Sequence, residues 1–116
     1  MRRAMAAFVL VLTFLLPAHA QDGSYSGTRH SESSDSRCNA TTLSGTVAGK
    51  NVQVTLAYNG VVLSGVVGGG GALSLRGASS YYSYYFSGTL KNGTMRGSWH
   101  AQPRYCWGTW SLTRSK

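Results

Sequence analysis

Residues 82–100 read Tyr-Ser-Tyr-Tyr-Phe-Ser-Gly-Thr-Leu-Lys-Asn-Gly-Thr-Met-Arg-Gly-Ser-Trp-His. Asn92-Gly93 suits a two-residue type I′ turn, in which both central residues take positive φ. Folding the chain there pairs Leu90 with Met95, Gly88 with Gly97, Phe86 with Trp99 and Tyr85 with His100. Apolar residues then meet apolar residues or glycine on one face. A slip of one residue would send every side chain to the other face. The stretch therefore predicts a β-hairpin with a defined register.

The same logic applies at Asn59-Gly60, where a two-residue turn would pair Tyr58 with Val61, Leu56 with Leu63, Val54 with Gly65 and Val52 with Val67. Period-two alternation continues elsewhere. Val52, Val54, Leu56 and Tyr58 share one face, and Leu73 and Leu75 alternate with Ser74 and Arg76. An internal repeat supports the reading: Tyr25-Ser-Gly-Thr28, Leu43-Ser-Gly-Thr46, Leu63-Ser-Gly-Val66 and Phe86-Ser-Gly-Thr89, spaced by 18, 20 and 23 residues. That period fits a strand–turn–strand unit.

About eight strands follow, near 24–30, 40–47, 52–58, 61–67, 72–77, 81–90, 94–100 and 105–113. The fold class expected is all-β: an antiparallel up-and-down meander of about eight strands closing into a β-barrel with one disulfide, with a flattened sandwich as the alternative. Inward Gly27, Gly45, Gly65, Gly88 and Gly97 would ease tight curvature. Gly68–Gly71 is followed by Leu73-Ser74-Leu75, a strand pattern, so it reads as a hairpin tip and not as a phosphate-binding loop.

The chain opens with Arg2-Arg3, an apolar run Ala6–Leu16, Pro17 and Ala18-His19-Ala20. This is the charge, apolar core and small-x-small order of a secretory signal peptide, and the run is far short of the ~20 residues that span a bilayer. The expected organisation is a signal peptide over 1–20 and one domain over 21–116, periplasmic or secreted, with no transmembrane segment left after cleavage. In an oxidising compartment the only two cysteines, Cys38 and Cys106, are expected to pair. Cys106 opens the last strand and Cys38 follows the first, so the bridge agrees with those strands lying side by side.

Without Arg2 and Arg3, nine of the eleven basic residues face three acids, a net charge of +6. Asp22, Glu32 and Asp35 all precede Cys38, and no acid follows it. Such a surface attracts polyanions. Alternation places Tyr82, Tyr84, Phe86, Trp99, Trp110 and Leu112 inside the barrel. It places Arg76, Tyr81, Tyr85, Arg96, His100 and Trp107 outside, as candidate binding residues: aromatic faces stack on flat groups and arginines pair with anions.

Catalytic chemistry is thinly supplied. No motif marks a nucleophilic serine, and His30, His100 and Glu32 have no metal-ligand spacing. No enzyme, cofactor or metal is expected. The leading expectation is an exported non-enzymatic barrel that binds an anionic envelope or extracellular component, such as an anionic polysaccharide, lipopolysaccharide or a protein partner. Export argues against nucleic acid. The alternatives are an inhibitor of a secreted protease or lysozyme, inserting loop 30–37 or the Gly68–Gly71 tip, and a small-ligand carrier using the barrel interior.

Asp22-Gly23-Ser24-Tyr25-Ser26-Gly27, Cys38, Gly97-Ser98-Trp99, Cys106-Trp107-Gly108-Thr109-Trp110 and the basic tail Arg114-Ser115-Lys116 form a pattern over most of the domain. It resembles small exported Gly/Ser-rich β-barrel proteins of proteobacteria. The resemblance implies a barrel fold and carries no mechanism.

Overall fold

The computed structural model describes residues 20–33, 38 and 40–115. The signal peptide expected over 1–20 falls almost wholly on residues 1–19, outside the described residues, as do residues 34–37 of the loop before Cys38. Eight antiparallel strands follow in chain order: β1 Gly23–Ser31, β2 Thr41–Ala48, β3 Asn51–Leu56, β4 Val62–Val66, β5 Ala72–Ala78, β6 Ser83–Lys91, β7 Thr94–Gln102 and β8 Cys106–Arg114. Each pairs with the next, and β8 pairs with β1 from Tyr25↔Arg114 to Ser31↔Gly108, closing the barrel. The sandwich alternative is thereby set aside. Closure leaves no sheet edge to manage.

The β6–β7 hairpin has the expected register, Leu90↔Met95, Gly88↔Gly97, Phe86↔Trp99 and Tyr85↔His100. Asn92 and Gly93 have φ of 53° and 74°, as a type I′ turn requires. The Asn59-Gly60 hairpin is a correction. Val54 pairs with Leu63 and Val52 with Gly65, a shift of two residues from the expected register. The loop is four residues long, 57–60, closed by Leu56 N–H donating to the Val61 carbonyl. Gly60 alone takes positive φ, while the Asn59 side chain accepts the Val61 N–H at 3.1 Å. Asn59 thus builds its turn through its side chain, which the Asn-Gly pair also permits. Tyr58 leaves the strand to bond Tyr84, so it cannot pair with Val61. The glycine run forms a 3-10 turn over Gly69–Gly71, tied by Gly68 N–H to the Ala72 carbonyl.

Eight strands enclose a space that side chains just fill. The buried set includes Leu43, Val54, Leu56, Leu63, Leu75, Tyr84, Phe86, Met95, Trp99, Trp110 and Leu112. Tyr82, expected inside, is half-buried and packs against this core from its rim. Large residues sit against glycines on the neighbouring strand. In register, Trp110 faces Gly97 and Trp99 faces Gly108, so the two Gly-x-Trp segments are reciprocal. Trp99 reaches across Gly108 to donate its indole N–H to the His30 carbonyl at 2.9 Å. Trp110 reaches across Gly97 to the carbonyls of Ser87 at 3.1 Å and Ser98 at 3.0 Å. A Cβ on Gly97 would fall 1.9 Å from the Ser87 oxygen, and one on Gly108 would fall 2.0 Å from the His30 oxygen. The missing side chains let the strands close in and leave room for the indoles. Both Trp donors are thereby satisfied inside an apolar core, as buried polar groups must be.

Candidate functional site

The barrel has two ends. The lower end gathers residues 20–22, the turns at Gly49, Gly69–Gly71 and Asn92-Gly93, and the close of β8. Asp22 is fixed there, its Oδ1 accepting the Gly49 N–H at 2.8 Å. The upper end gathers the β1–β2 loop, the 57–60 loop, residues 79–82 and residues 103–105. Cys38 and Cys106 are joined across it, both buried.

Beneath this bridge lies a residue not singled out by sequence. Arg29, on β1, is 2 % exposed. Its guanidinium lies 4.1 Å from the Trp99 ring and 5.2 Å from the Tyr58 ring. A cation in this setting gains about 2 kcal/mol from the ring faces when desolvated. Tyr58 and Tyr84 share a hydroxyl–hydroxyl bond of 2.6 Å, and Asn59 Nδ2 donates to the Tyr84 oxygen at 3.1 Å. The cavity lined by Arg29, Cys38, Tyr58, Tyr82, Tyr84 and Trp99 is about 20 Å³. That is room for one water molecule, well below the ~300 Å³ at which small-molecule sites begin.

Burial, and then the bond to Tyr58, push the Tyr84 phenol up to about 12 from its ordinary 10. A phenol raised in the folded state contributes stability that is intact below pH 10 and lost as pH climbs through about 12. Stability should therefore decline between pH 10 and 12. Tyr84→Phe should lack that part of the decline, and should also lose a phenolate absorbance step near pH 12. Denaturant titrations at successive pH values and ultraviolet pH titration of both proteins measure the two effects. A Tyr84→Phe protein with an unchanged absorbance titration would refute the assignment.

The candidate binding residues divide into three places. Arg76, Tyr85, His100 and Trp107 form one row on the outer wall, as successive cross-strand pairs from β5 to β8. The Arg76 guanidinium lies 5.9 Å from the Tyr85 ring. The Tyr85 and His100 rings stack with centroids 4.9 Å apart and planes 20° apart. Tyr105, which sequence reading missed, extends the stack, 5.9 Å from His100. Trp107, 41 % exposed, ends the row. Its backbone N–H donates to Ser33 Oγ at 2.7 Å, so the β1–β2 loop fixes that end.

Tyr81 is not in the row. It is 65 % exposed in the β5–β6 turn and meets Tyr82 edge-on at 4.9 Å. It belongs to the upper rim with Tyr58 and Tyr105. Arg96 faces the same wall as the row but lies four residues below His100 on β7, roughly 13 Å along the strand; its cross-strand neighbours are Thr89 and Ser111.

Parity could have found Arg29, because Tyr25, Gly27 and Arg29 alternate on one face of β1. Its charge argues the other way. Tyr105 lies between strands, where alternation says nothing. Among the described residues, no group of three or more His, Cys, Asp or Glu could hold a metal ion, and no helix is long and apolar enough to cross a membrane. No protein family, curated protein or solved structure matches the chain.

Proposed function

We propose that the protein is an exported, non-enzymatic barrel that binds an anionic component of the cell envelope or extracellular space through the wall formed by β5–β8. One observation carries this reading. From Ala72 to Arg114 the chain holds Arg76, Lys91, Arg96, Arg104 and Arg114 and not one acid. Half the barrel wall is therefore of a single charge sign, and such a surface concentrates polyanions in proportion to its field. The disulfide accords with an oxidising compartment. Lipopolysaccharide and acidic polysaccharide both supply the required charge.

The test is retention on immobilised heparin and lipopolysaccharide under a salt gradient. Retention should weaken steeply as salt rises, because screening shortens the reach of exposed charges. Arg76→Glu with Arg96→Glu should elute at clearly lower salt than the wild type. A protein that passes through both columns at low salt would overturn the reading.

A protein partner is the second reading, as for an inhibitor of a secreted hydrolase. It is favoured by Tyr58, Tyr81 and Tyr105, which stand 55 %, 65 % and 60 % exposed around the upper rim; exposed tyrosines are enriched where proteins meet. Inhibition of any member of a protease and lysozyme panel, abolished by Tyr81→Ser, would support it.

A further inference from the structure

The outer wall of β5–β8 carries a second row directly beside the aromatic one. Ser74 pairs with Ser87, Ser87 with Ser98, and Ser98 with Thr109. All four are exposed. They stand two residues along each strand from Arg76, Tyr85, His100 and Trp107, on the same face, about 7 Å away. A third row continues the grid with Ala72, Thr89, Arg96 and Ser111. The wall is thus ordered: a cation and aromatic rings along the top, hydroxyls through the middle, and a second cation below. Each row crosses three inter-strand spacings, roughly 14 Å. An open depression of about 280 Å³ lies at the Arg76 end, lined by Arg76, Gly77, Ala78, Ser83, Tyr84 and Tyr85.

We infer that this wall is a platform for a linear acidic polysaccharide, with a sugar ring lying against Trp107, sugar hydroxyls on the Ser/Thr row and on the polar edge of the Tyr85–His100 stack, whose ring faces are taken by each other, and acidic groups on Arg76 and Arg96. The inference rests on the polyanion reading above and names its ligand class. A sugar ring has one face of C–H bonds and a rim of hydroxyls. The face packs on an aromatic ring, and the rim needs partners that both donate and accept, which is what serine and threonine hydroxyls do. An arginine fork grips a carboxylate or sulfate through paired hydrogen bonds.

Other polyanions use the wall less completely. An acidic peptide added as a strand would need an open sheet edge, and the barrel has none. A lipid needs apolar surface beside its headgroup. The exposed valines Val62 and Val66 are on β4, outside the grid. Nucleic acid would stack its bases on the aromatic row but has less use for a hydroxyl row.

The experiment measures binding by calorimetry at physiological salt, with four probes matched for charge number: a galacturonate oligomer, polyglutamate, polyphosphate and an oligothymidylate. The galacturonate oligomer should bind at least about tenfold more tightly than the other three. Trp107→Thr should weaken it about tenfold, the scale of a lost aromatic stacking contact. The double variant Ser87→Val, Ser98→Val leaves charge unchanged and keeps strand-forming side chains. It should weaken the oligomer about tenfold, from two lost hydrogen bonds, and leave polyglutamate unaffected. Thermal unfolding checks that each variant is folded, and the serine pair decides the matter if Trp107→Thr is not. Equal affinity for all four probes would overturn the carbohydrate inference while the polyanion reading stands. Tightest binding of oligothymidylate would overturn it in favour of a base platform. Failure to bind any probe would remove both.

Discussion

Replacing Trp110 with alanine should destabilise the barrel by about 4 kcal/mol, within the range for truncating a buried tryptophan. Three losses combine. The side chain is 1 % exposed, so its whole apolar surface is withdrawn from the core. Its ring packs against Phe86, with centroids 5.2 Å apart. Its indole N–H serves two carbonyls, those of Ser87 and Ser98. Collapse refills the space poorly, because Gly97 on β7 and Gly88 beyond it on β6 have no side chains to move in, and the partner on the other side, Arg29 on β1, already packs against the Trp99 and Tyr58 rings. Closed strands pinned by hydrogen bonds on both sides also resist inward shift. Trp110→Phe should cost about half as much, since it keeps ring packing and forfeits the donor. Urea titrations with linear extrapolation measure both. A Trp110→Ala loss below about 1 kcal/mol would show that the barrel contracts around the gap and that the Trp-over-Gly contact is not a principal support. Native domains hold only ~5–15 kcal/mol in all.

How legible this architecture is in the sequence varies with the kind of information each feature needs. The strands and their faces follow from alternation. The β6–β7 register follows from a turn whose residues demand positive φ, and Asn92-Gly93 meets that demand. Asn59-Gly60 has the same letters and a different turn. A two-residue shift preserves every inside–outside assignment, so hydrophobic pattern cannot detect it. The contacts that accompany the observed register include the Asn59 side chain on the Val61 N–H, which is local, and the bonds of Tyr58 and Asn59 to Tyr84, which join residues 26 and 25 apart in sequence.

The candidate site shows the same division. The outward positions of Arg76, Tyr85, His100 and Trp107 follow from parity. That they form one row depends on four strands being in register at once. The hydroxyl row is invisible until then, because Ser74, Ser87, Ser98 and Thr109 are individually ordinary surface residues. Arg29 is the opposite case. Its face is readable, but hydropathy sends an arginine outward, and the Trp99 and Tyr58 rings that favour keeping it inside come from other strands and loops.

Exchanging both Cys38 and Cys106 for serine should lower stability by about 4 kcal/mol, the loop-closure entropy of a 68-residue separation. The unfolded chain gains most of the difference, since the bridge ties the β1–β2 loop to the start of β8 and so holds the two closing strands near each other before they pair. In the folded state those strands already pair over Tyr25–Ser31, and Ser33 holds the Trp107 backbone independently of the bridge. The barrel should therefore still close in the double variant, with its strand content by circular dichroism unchanged and its urea midpoint sharply lower. Wild-type protein treated with a thiol reductant should match it. A shift of 4 kcal/mol changes the folded-to-unfolded ratio by about a thousandfold at ~1.4 kcal/mol per decade, so the same chain kept in a reducing compartment would populate its unfolded form far more often. Equal midpoints for wild type and double variant would mean that the β1–β8 ladder alone holds the closure. A fall with loss of strand signal would mean that the bridge is required to form the barrel, and export to an oxidising compartment would then be a condition of folding itself.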